Sequence, residues 1–293
     1  MSDGGAVTWA ELLADSSTAL GDAREARWIC EQAGGFSAAE FAASRDEAVR
    51  TSMAVAVHAM VRRRCEGEPL QYVLGAWGFR LLDLLVDRRV LIPRPETEVV
   101  AGVAIDLVRA AGPGATAVDL GTGSGAIGLS IARELHPVSV RTVLTDASPD
   151  ALDVARANLA GLGRAGQGVE VREGSWWSAL PDDLRGSVDV AVSNPPYVAE
   201  GDPEVDESVR AWEPHAALYS DADGLGAIRE IIAGAAAWLA PRGWLVLEIG
   251  WTQGGAVADL MRAGGLVEVE IRPDLAGHDR VALGRRGNTA IAR

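Results

Sequence analysis

The sequence predicts an α/β fold: a mostly parallel sheet wound by helices on both faces, set behind a small all-α amino-terminal segment and a β-hairpin linker. Three observations carry this. Apolar runs of strand length alternate with helical stretches from about residue 93 onward, and that grammar builds a parallel sheet with helices on its faces. The first seventy residues show helical spacing and no strand-like run. Between them lie short apolar runs broken by Gly75 and Gly78, which suit a hairpin better than a helix.

From Thr8 to about Gly67, Trp9, Leu12 and Leu13 open one helical period, while Met53, Val57, Met60 and Val61 continue another. Ser37-Ala-Ala-Glu40 has capping-box spacing. Arg62, Arg63 and Arg64 read as a solvated helix end favoured by the macrodipole rather than as a partner contact. Leu81, Leu82, Leu84, Leu85 and Val86 supply the hairpin's apolar positions. A helix is expected over Glu96–Ala111, stopped by Gly112-Pro113-Gly114. The strands then expected are Thr116–Leu120, Val140–Thr145, Val169–Arg172, Val188–Ser193, Trp244–Ile249, Val267–Ile271 and Val281–Leu283. The expected division is residues 1–72 as a helical domain, 73–92 as the linker, 93–285 as the wound α/β domain and 286–293 as a frayed tail.

Composition removes several chemistries. The 293 residues carry a net charge of -14, with 27 basic against 41 acidic side chains, so a broad cationic face for holding nucleic acid is not expected. All the basic residues are arginines; lysine imines and phosphate-loop lysines have no residue to form them. Cys30 and Cys65 are far apart, and His58, His136, His215 and His278 form no metal-binding pair, so no metal is expected and a reducing cytoplasm fits. The first residues lack a basic region followed by an apolar run, and no stretch reaches membrane-spanning length. A cytoplasmic, unexported, monomeric protein is the expectation.

One run passes from an apolar strand into a helix through Gly121, Thr122, Gly123, Ser124 and Gly125. Glycines there let the backbone turn sharply and approach a ligand closely. Gly123-x-Gly125-x-x-Gly128 also satisfies the dinucleotide fingerprint, so the loop alone leaves the cofactor open. Asp146 follows Gly121 by 25 positions at the end of the next strand, where a carboxylate accepts both hydroxyls of an adenosine ribose. The competing role for Asp146 is a helix N-cap, for which Ser148 also qualifies. Asp119, just before the loop, is placed to balance an ammonium group.

Asn194-Pro195-Pro196-Tyr197 follows the strand that ends at Ser193, so Asn194 should emerge at the carboxyl edge of the sheet, where α/β proteins place ligands. A planar NH2 group brings two donors. The side-chain oxygen of Asn194 and the carbonyl of Pro195 can take one each, since Pro196 has no amide hydrogen. Tyr197 offers a ring to pack on the flat group. Two acceptors that draw the hydrogens out of plane restore lone-pair density to an amide nitrogen and stabilise the charge that builds as it is alkylated.

These residues resemble the release-factor glutamine methyltransferases over nearly the whole chain. The likeness includes Pro69-Leu-Gln-Tyr72, Leu91–Glu98, Asp119–Ile127, Asp146, Trp176, Ser193–Tyr197, Glu213-Pro214, Asp223–Leu225, Leu247–Gly250 and Asp274–Arg280. The resemblance implies a seven-stranded Rossmann-like methyltransferase sheet and transfer of methyl from S-adenosyl-L-methionine to the glutamine amide in the Gly-Gly-Gln motif of peptide chain release factors. It implies that Gly121, Thr122, Gly123, Ser124, Gly125 and Asp146 hold the cofactor, with Asn194 also beside it, and that Trp176 packs near the adenine. Asn194, Pro195, Pro196 and Tyr197 would hold the glutamine, with Asn194, Pro195 and Tyr197 the catalytic set. Ile92–Glu98 would lie beside the active site, with no role that physics alone assigns. Ser175 departs from the acid the family often carries before the tryptophan, and Trp177 doubles the indole.

Three other classes share parts of this pattern. A nicotinamide dehydrogenase uses the glycines and Asp146 but leaves Asn194–Tyr197 unexplained. A nucleic-acid amine methyltransferase shares the tetrapeptide but ordinarily brings a basic face, and the net charge here has the opposite sign. A non-enzymatic module built on the same fold would have little need of both motifs intact.

Overall fold

The computed structural model describes residues 7–203 and 205–288; residues 1–6, 204 and 289–293, the last including most of the expected tail, lie outside the described residues. The chain divides into two compact units, Met1–Ala76 with Glu207–Trp212, and Trp77–Asp206 with Glu213–Arg293.

The first unit is helical: α1 (Trp9–Leu20), α2 (Ala23–Gly34), α3 (Ala38–Ala43), α4 (Thr51–Cys65) and α5 (Leu70–Leu74). Side chains cap the first three. Thr8 and Glu11 form a capping box on α1, Asp22 accepts from two amides of α2, and Ser37 with Glu40 closes the box its spacing predicts. Trp9, Leu12, Ile29, Phe41, Val57 and Leu70 form its core, with Trp9 edge-on to Phe36 at 5.3 Å and to Phe41 at 5.8 Å. Arg63 clamps Glu68 and Arg64 clamps Glu25, each through two hydrogen bonds. The arginine run therefore ties its own unit together, and only Arg62 is largely solvated.

The connector differs from expectation at its start. The helical part runs two residues past the expected boundary at 72: Leu70–Leu74 forms a short helix, because Pro69 sets its entry and Gly75, at φ 72°, terminates it in the left-handed region. The hairpin follows as β1 (Ala76–Phe79) and β2 (Leu82–Leu85).

In the second unit come α6 (Pro95–Ala111), β3 (Thr116–Leu120), α7 (Ala126–Leu135), β4 (Arg141–Asp146), α8 (Pro149–Gly161), β5 (Val169–Glu173) and β6 (Val188–Ser193). Two short helices follow, α9 (Glu207–Trp212), which belongs to the first unit, and α10 (His215–Leu218). The chain ends with α11 (Gly226–Trp238), β7 (Leu239–Glu248), α12 (Gly254–Ala263), β8 (Leu266–Pro273) and β9 (Asp279–Arg286). The expected strands are all present. β7 starts five residues earlier than its apolar run suggests, since Pro241-Arg242-Gly243 interrupts the pattern without ending the strand.

The seven strands lie in the order β5-β4-β3-β6-β7-β9-β8, parallel except that β9 runs antiparallel to both β7 and β8. The order reverses between β3 and β6, the switch point outside which α/β sheets bind ligands. A core of Val118, Leu120, Ile228, Ile231, Leu245 and Leu247 backs that point. Trp177 stacks on Trp238 at 6.3 Å, and its indole N–H donates to the Ile231 carbonyl at 2.8 Å.

Candidate active site

Strand register alone lines up the key residues. Leu120 pairs with Thr145 of β4 on one side and with Ser193 of β6 on the other, and Ser193 pairs with Leu247 of β7. One position further along the four parallel strands stand Asp146, Gly121, Asn194 and Glu248, a row along the carboxyl edge. The Ser193 hydroxyl, donating to the Leu120 carbonyl at 2.6 Å, locks β3 to β6 where the row begins.

A cavity of about 380 Å³ opens over this row, lined by Asp119, Gly121–Ser124, Asp146, Trp176, Asn194 and Pro196 among others. Its size suits a nucleoside-sized molecule. Gly121 and Gly123 have φ of 70° and 55°, the left-handed region that glycine enters without strain. A Cβ on Gly121 would lie 3.0 Å from the Trp176 ring, so the bare glycine lets the indole close on the loop. Trp176 itself sits at φ 45°, unusual for a large side chain. The doubled tryptophan thus splits: Trp176 lines the cavity while Trp177 is core. Ser175 also lines the cavity.

Gly125, placed with the cofactor residues by sequence, is not among the lining residues. It begins α7 at φ 87°, and a Cβ there would lie 2.7 Å from Leu129. Its task is the turn and the packing beneath it.

Two carboxylates face the cavity under different constraints. Asp146 accepts from the Gly123 amide at 2.9 Å and from the Ser148 amide at 2.9 Å, one per oxygen, which leaves lone pairs on both. Ser148, not Asp146, caps α8 by accepting from Ala151. Burial raises the Asp146 pKa, and the two amides oppose that shift. Asp119 is fully buried; one oxygen accepts from the Thr122 hydroxyl at 2.6 Å and the Gly128 amide at 2.9 Å, and the other has no partner. Burial pushes its pKa up to about 6. A buried carboxylate oxygen without a partner is costly, and a cation in the cavity would relieve it.

Pro195 and Tyr197 do not line this cavity. They line an adjoining one of about 50 Å³, which shares Leu91, Asn194 and Ala217 with the first and is also lined by Arg94 and Glu248. Asn194 therefore stands between the two spaces. Its Nδ2 donates to Thr97 Oγ1 at 3.3 Å, which leaves Oδ1 as an acceptor. The Tyr197 hydroxyl donates to Glu248 at 3.2 Å, receives Arg280 at 3.4 Å, and has its pKa raised chiefly by burial. Gln253 holds the Tyr197 carbonyl at 3.0 Å.

Several of these residues carry no signal in local spacing. Thr97 places the Ile92–Glu98 segment at the site. Buried Glu213 accepts from the Ile92 amide at 3.0 Å and pairs with Arg94, holding that segment down. Asn158 of α8 bonds both the Leu85 backbone of the hairpin and the Ser124 carbonyl of the glycine loop. Glu248 did leave a trace: a lone acid inside the apolar run Trp244–Ile249.

A glycine loop and an acid on neighbouring strands, an Asn-Pro-Pro-Tyr segment at the switch point and an antiparallel last strand together define a class: this is a methyltransferase domain. Sequence models agree. "PrmC N-terminal domain" matches residues 6–75 and "Methyltransferase small domain" matches residues 105–211. A methyltransferase from Pyrococcus furiosus shares the fold, with a TM-score of 0.50 at 17% identity over 70% of this chain and 89% of that one. A release factor glutamine methyltransferase of Burkholderia pseudomallei is 42% identical over 95% of this chain and 96% of its own. One of Xylella fastidiosa (strain Temecula1) is 45% identical over 78% and 80%. The chain belongs to the release factor glutamine methyltransferase family.

Proposed function

We propose that this chain transfers a methyl group from S-adenosylmethionine to the side-chain amide nitrogen of the glutamine in the Gly-Gly-Gln motif of peptide chain release factors. When bound, S-adenosylmethionine would supply an electrophilic methyl group on a sulfonium, whose S–CH3 bond breaks in the transfer to leave a neutral thioether. The observation that carries the reading is Asn194, which lines both cavities and whose NH2 donates to Thr97, leaving Oδ1 as a free acceptor.

The larger cavity takes the donor. Asp146 accepts the ribose hydroxyls, the unpaired oxygen of Asp119 meets the ammonium, Trp176 packs on the adenine and Gly121–Ser124 cradle the chain between. The smaller cavity takes the glutamine amide. Asn194 Oδ1 and the Pro195 carbonyl accept its two hydrogens, Pro196 stiffens the turn, and the Tyr197 ring flanks the flat group. As the nitrogen gains the methyl, positive charge builds on its hydrogens, so both acceptors bind more tightly in the transition state than before it. The excess proton then leaves to water, and no strong base is needed. The helical unit recognises the protein around the glutamine, since one side chain offers too few contacts to be selected.

No helix among the described residues is long and apolar enough to cross a membrane. A cytoplasmic monomer acting on protein, with no direct nucleic-acid contact, is part of the same proposal. Mass spectrometry of a release factor co-expressed with this chain should find an added ~14 Da, one methylene, on the Gly-Gly-Gln peptide. Asn194→Ala should lower single-turnover methyl transfer ~10²–10³-fold while cofactor affinity changes less than about tenfold. An unmodified peptide would overturn the substrate, and parent-rate transfer by Asn194→Ala would overturn the role of Asn194.

A further inference from the structure

Resting on the reading of Asn194 as an acceptor, the geometry points to Thr97 and Glu248 as positioning residues that select which end of the Asn194 amide meets the target. An asparagine amide is nearly symmetric in shape and opposite in sense at its two ends. If NH2 rather than oxygen faced the glutamine amide, two donors would oppose each other and the site would fail. Something must fix the sense, and Pro195 and Pro196, which hold only the backbone, cannot.

Thr97 is 3% exposed, and its oxygen accepts the Asn194 Nδ2 hydrogen. The hydroxyl proton is then free to turn toward Glu248, whose charged form it stabilises. Glu248 is 1% exposed and takes the Tyr197 hydroxyl on one oxygen; its other oxygen, with no partner in place, is open to the Thr97 proton. While Glu248 is charged it accepts only. Every proton in the chain Asn194–Thr97–Glu248–Tyr197 then points toward it, and Asn194 Oδ1 is left for the target. A proton on Glu248 turns that carboxyl into a donor. The Thr97 oxygen can accept from it, the Thr97 proton can turn to Asn194 Oδ1, and the amide can rotate to present NH2.

The titratable groups around Glu248 come from α6, β9 and the segment after β6, and Arg94 at the start of α6 lines the small cavity with it. Glu96 of α6 raises its pKa, while Arg280 of β9 and Tyr197 after β6 lower it. Leu245 and Leu247 belong to the cluster that includes α11, so by strand alternation Glu248 looks the other way. Desolvation outweighs the rest and pushes its pKa up to about 7, so the sense of Asn194 should change near neutral pH.

The test has two arms on the full chain. The first needs no substrate: the Asn194 side-chain NH2 resonances, assigned by their loss in Asn194→Asp, are followed from about pH 5.5 to 8.5. They should shift with a midpoint near 7 in the parent and stay flat in Glu248→Gln. The second arm is kinetic. Parent kcat on release factor should rise with pH through about 7. Glu248→Gln and Thr97→Val should lower kcat about tenfold or more, with KM and cofactor affinity within about twofold, and Thr97→Ser should restore the rate. If Glu248→Gln does not fold, the two Thr97 variants decide. Parent-like kcat in Thr97→Val, or Asn194 resonances that ignore pH, would overturn the proposal. A parent that titrates at Asn194 yet methylates no release factor would remove the substrate reading and leave the relay standing.

Discussion

Asp119 keeps one oxygen fully engaged and one bare within a buried site, and this sets how the protein should answer to pH. Its carboxyl is raised from the ordinary carboxylate range to about 6 by burial. Between the ordinary value and 6 the folded state holds a proton the unfolded chain has lost, so stability without cofactor should fall as pH rises through that window. Cofactor binding has the opposite sense, because an ammonium needs the charged carboxylate. Affinity should be full above about pH 6 and weaken by up to tenfold per pH unit below it. Asp119→Asn should remove that slope and bind weakly throughout, with the cofactor's own titration common to both proteins. Calorimetric affinities from pH 5 to 8, in roughly unit steps, make the comparison, and parallel slopes in parent and variant would leave Asp119 without a part in binding.

At the scale of elements, α11 and the short 3-10 turn Trp176–Ala179 meet where Gly234 faces Trp177. A Cβ on Gly234 would lie 2.5 Å from the Trp177 indole nitrogen, inside the ring's contact distance. Gly234→Ala gains helix propensity of ~1 kcal/mol, yet displacing a packed indole that also loses its bond to Ile231 should cost more, for a net loss of ~1–3 kcal/mol. Because Trp176 is the next residue and lines the cavity, cofactor affinity should fall with stability. Gly102→Ala, also on a helix and 3.3 Å from only the Arg80 side-chain tip, should do neither. Melting curves beside cofactor titrations separate the two, and an unchanged affinity in Gly234→Ala would show the tryptophans uncoupled. These elements also show what the sequence could and could not express. The glycine loop and Asn194–Tyr197 were legible because a short segment encodes its own backbone: glycines at positive φ, prolines at fixed φ, an apolar run before each. Thr97 and Asn194 are 97 positions apart, and Glu213 and Ile92 are 121. No local spacing joins them. Only the register of β6 beside β3 and β7 and the packing of α6 bring them together.

For the whole molecule, the charge of -14 and the division of labour between units bear on how a protein substrate is chosen. The helical unit has its own aromatic core and takes in Glu207–Trp212, a segment the chain reaches after Asn194–Tyr197 and leaves before Glu213. The cavity residues belong wholly to the other unit. A chain beginning at Trp77 should therefore keep cofactor affinity within about threefold, since it retains each lining residue. On intact release factor kcat/KM should drop at least about tenfold, a barrier increase of ~1.4 kcal/mol, because the proposed partner-selecting surface is gone. The drop should be carried by KM, as Thr97, Asn194 and Glu248 all remain. On a short Gly-Gly-Gln peptide, which offers the helical unit nothing to hold, truncated and full chains should run at equal rates. Trp212 loses its unit in the truncated chain, so Trp212→Ala in the full chain serves as a control: a KM rise there too would assign recognition to the unit as assembled. Equal kcat/KM for truncated and full chains on intact release factor would take recognition away from the helices and place it at the cavity mouth.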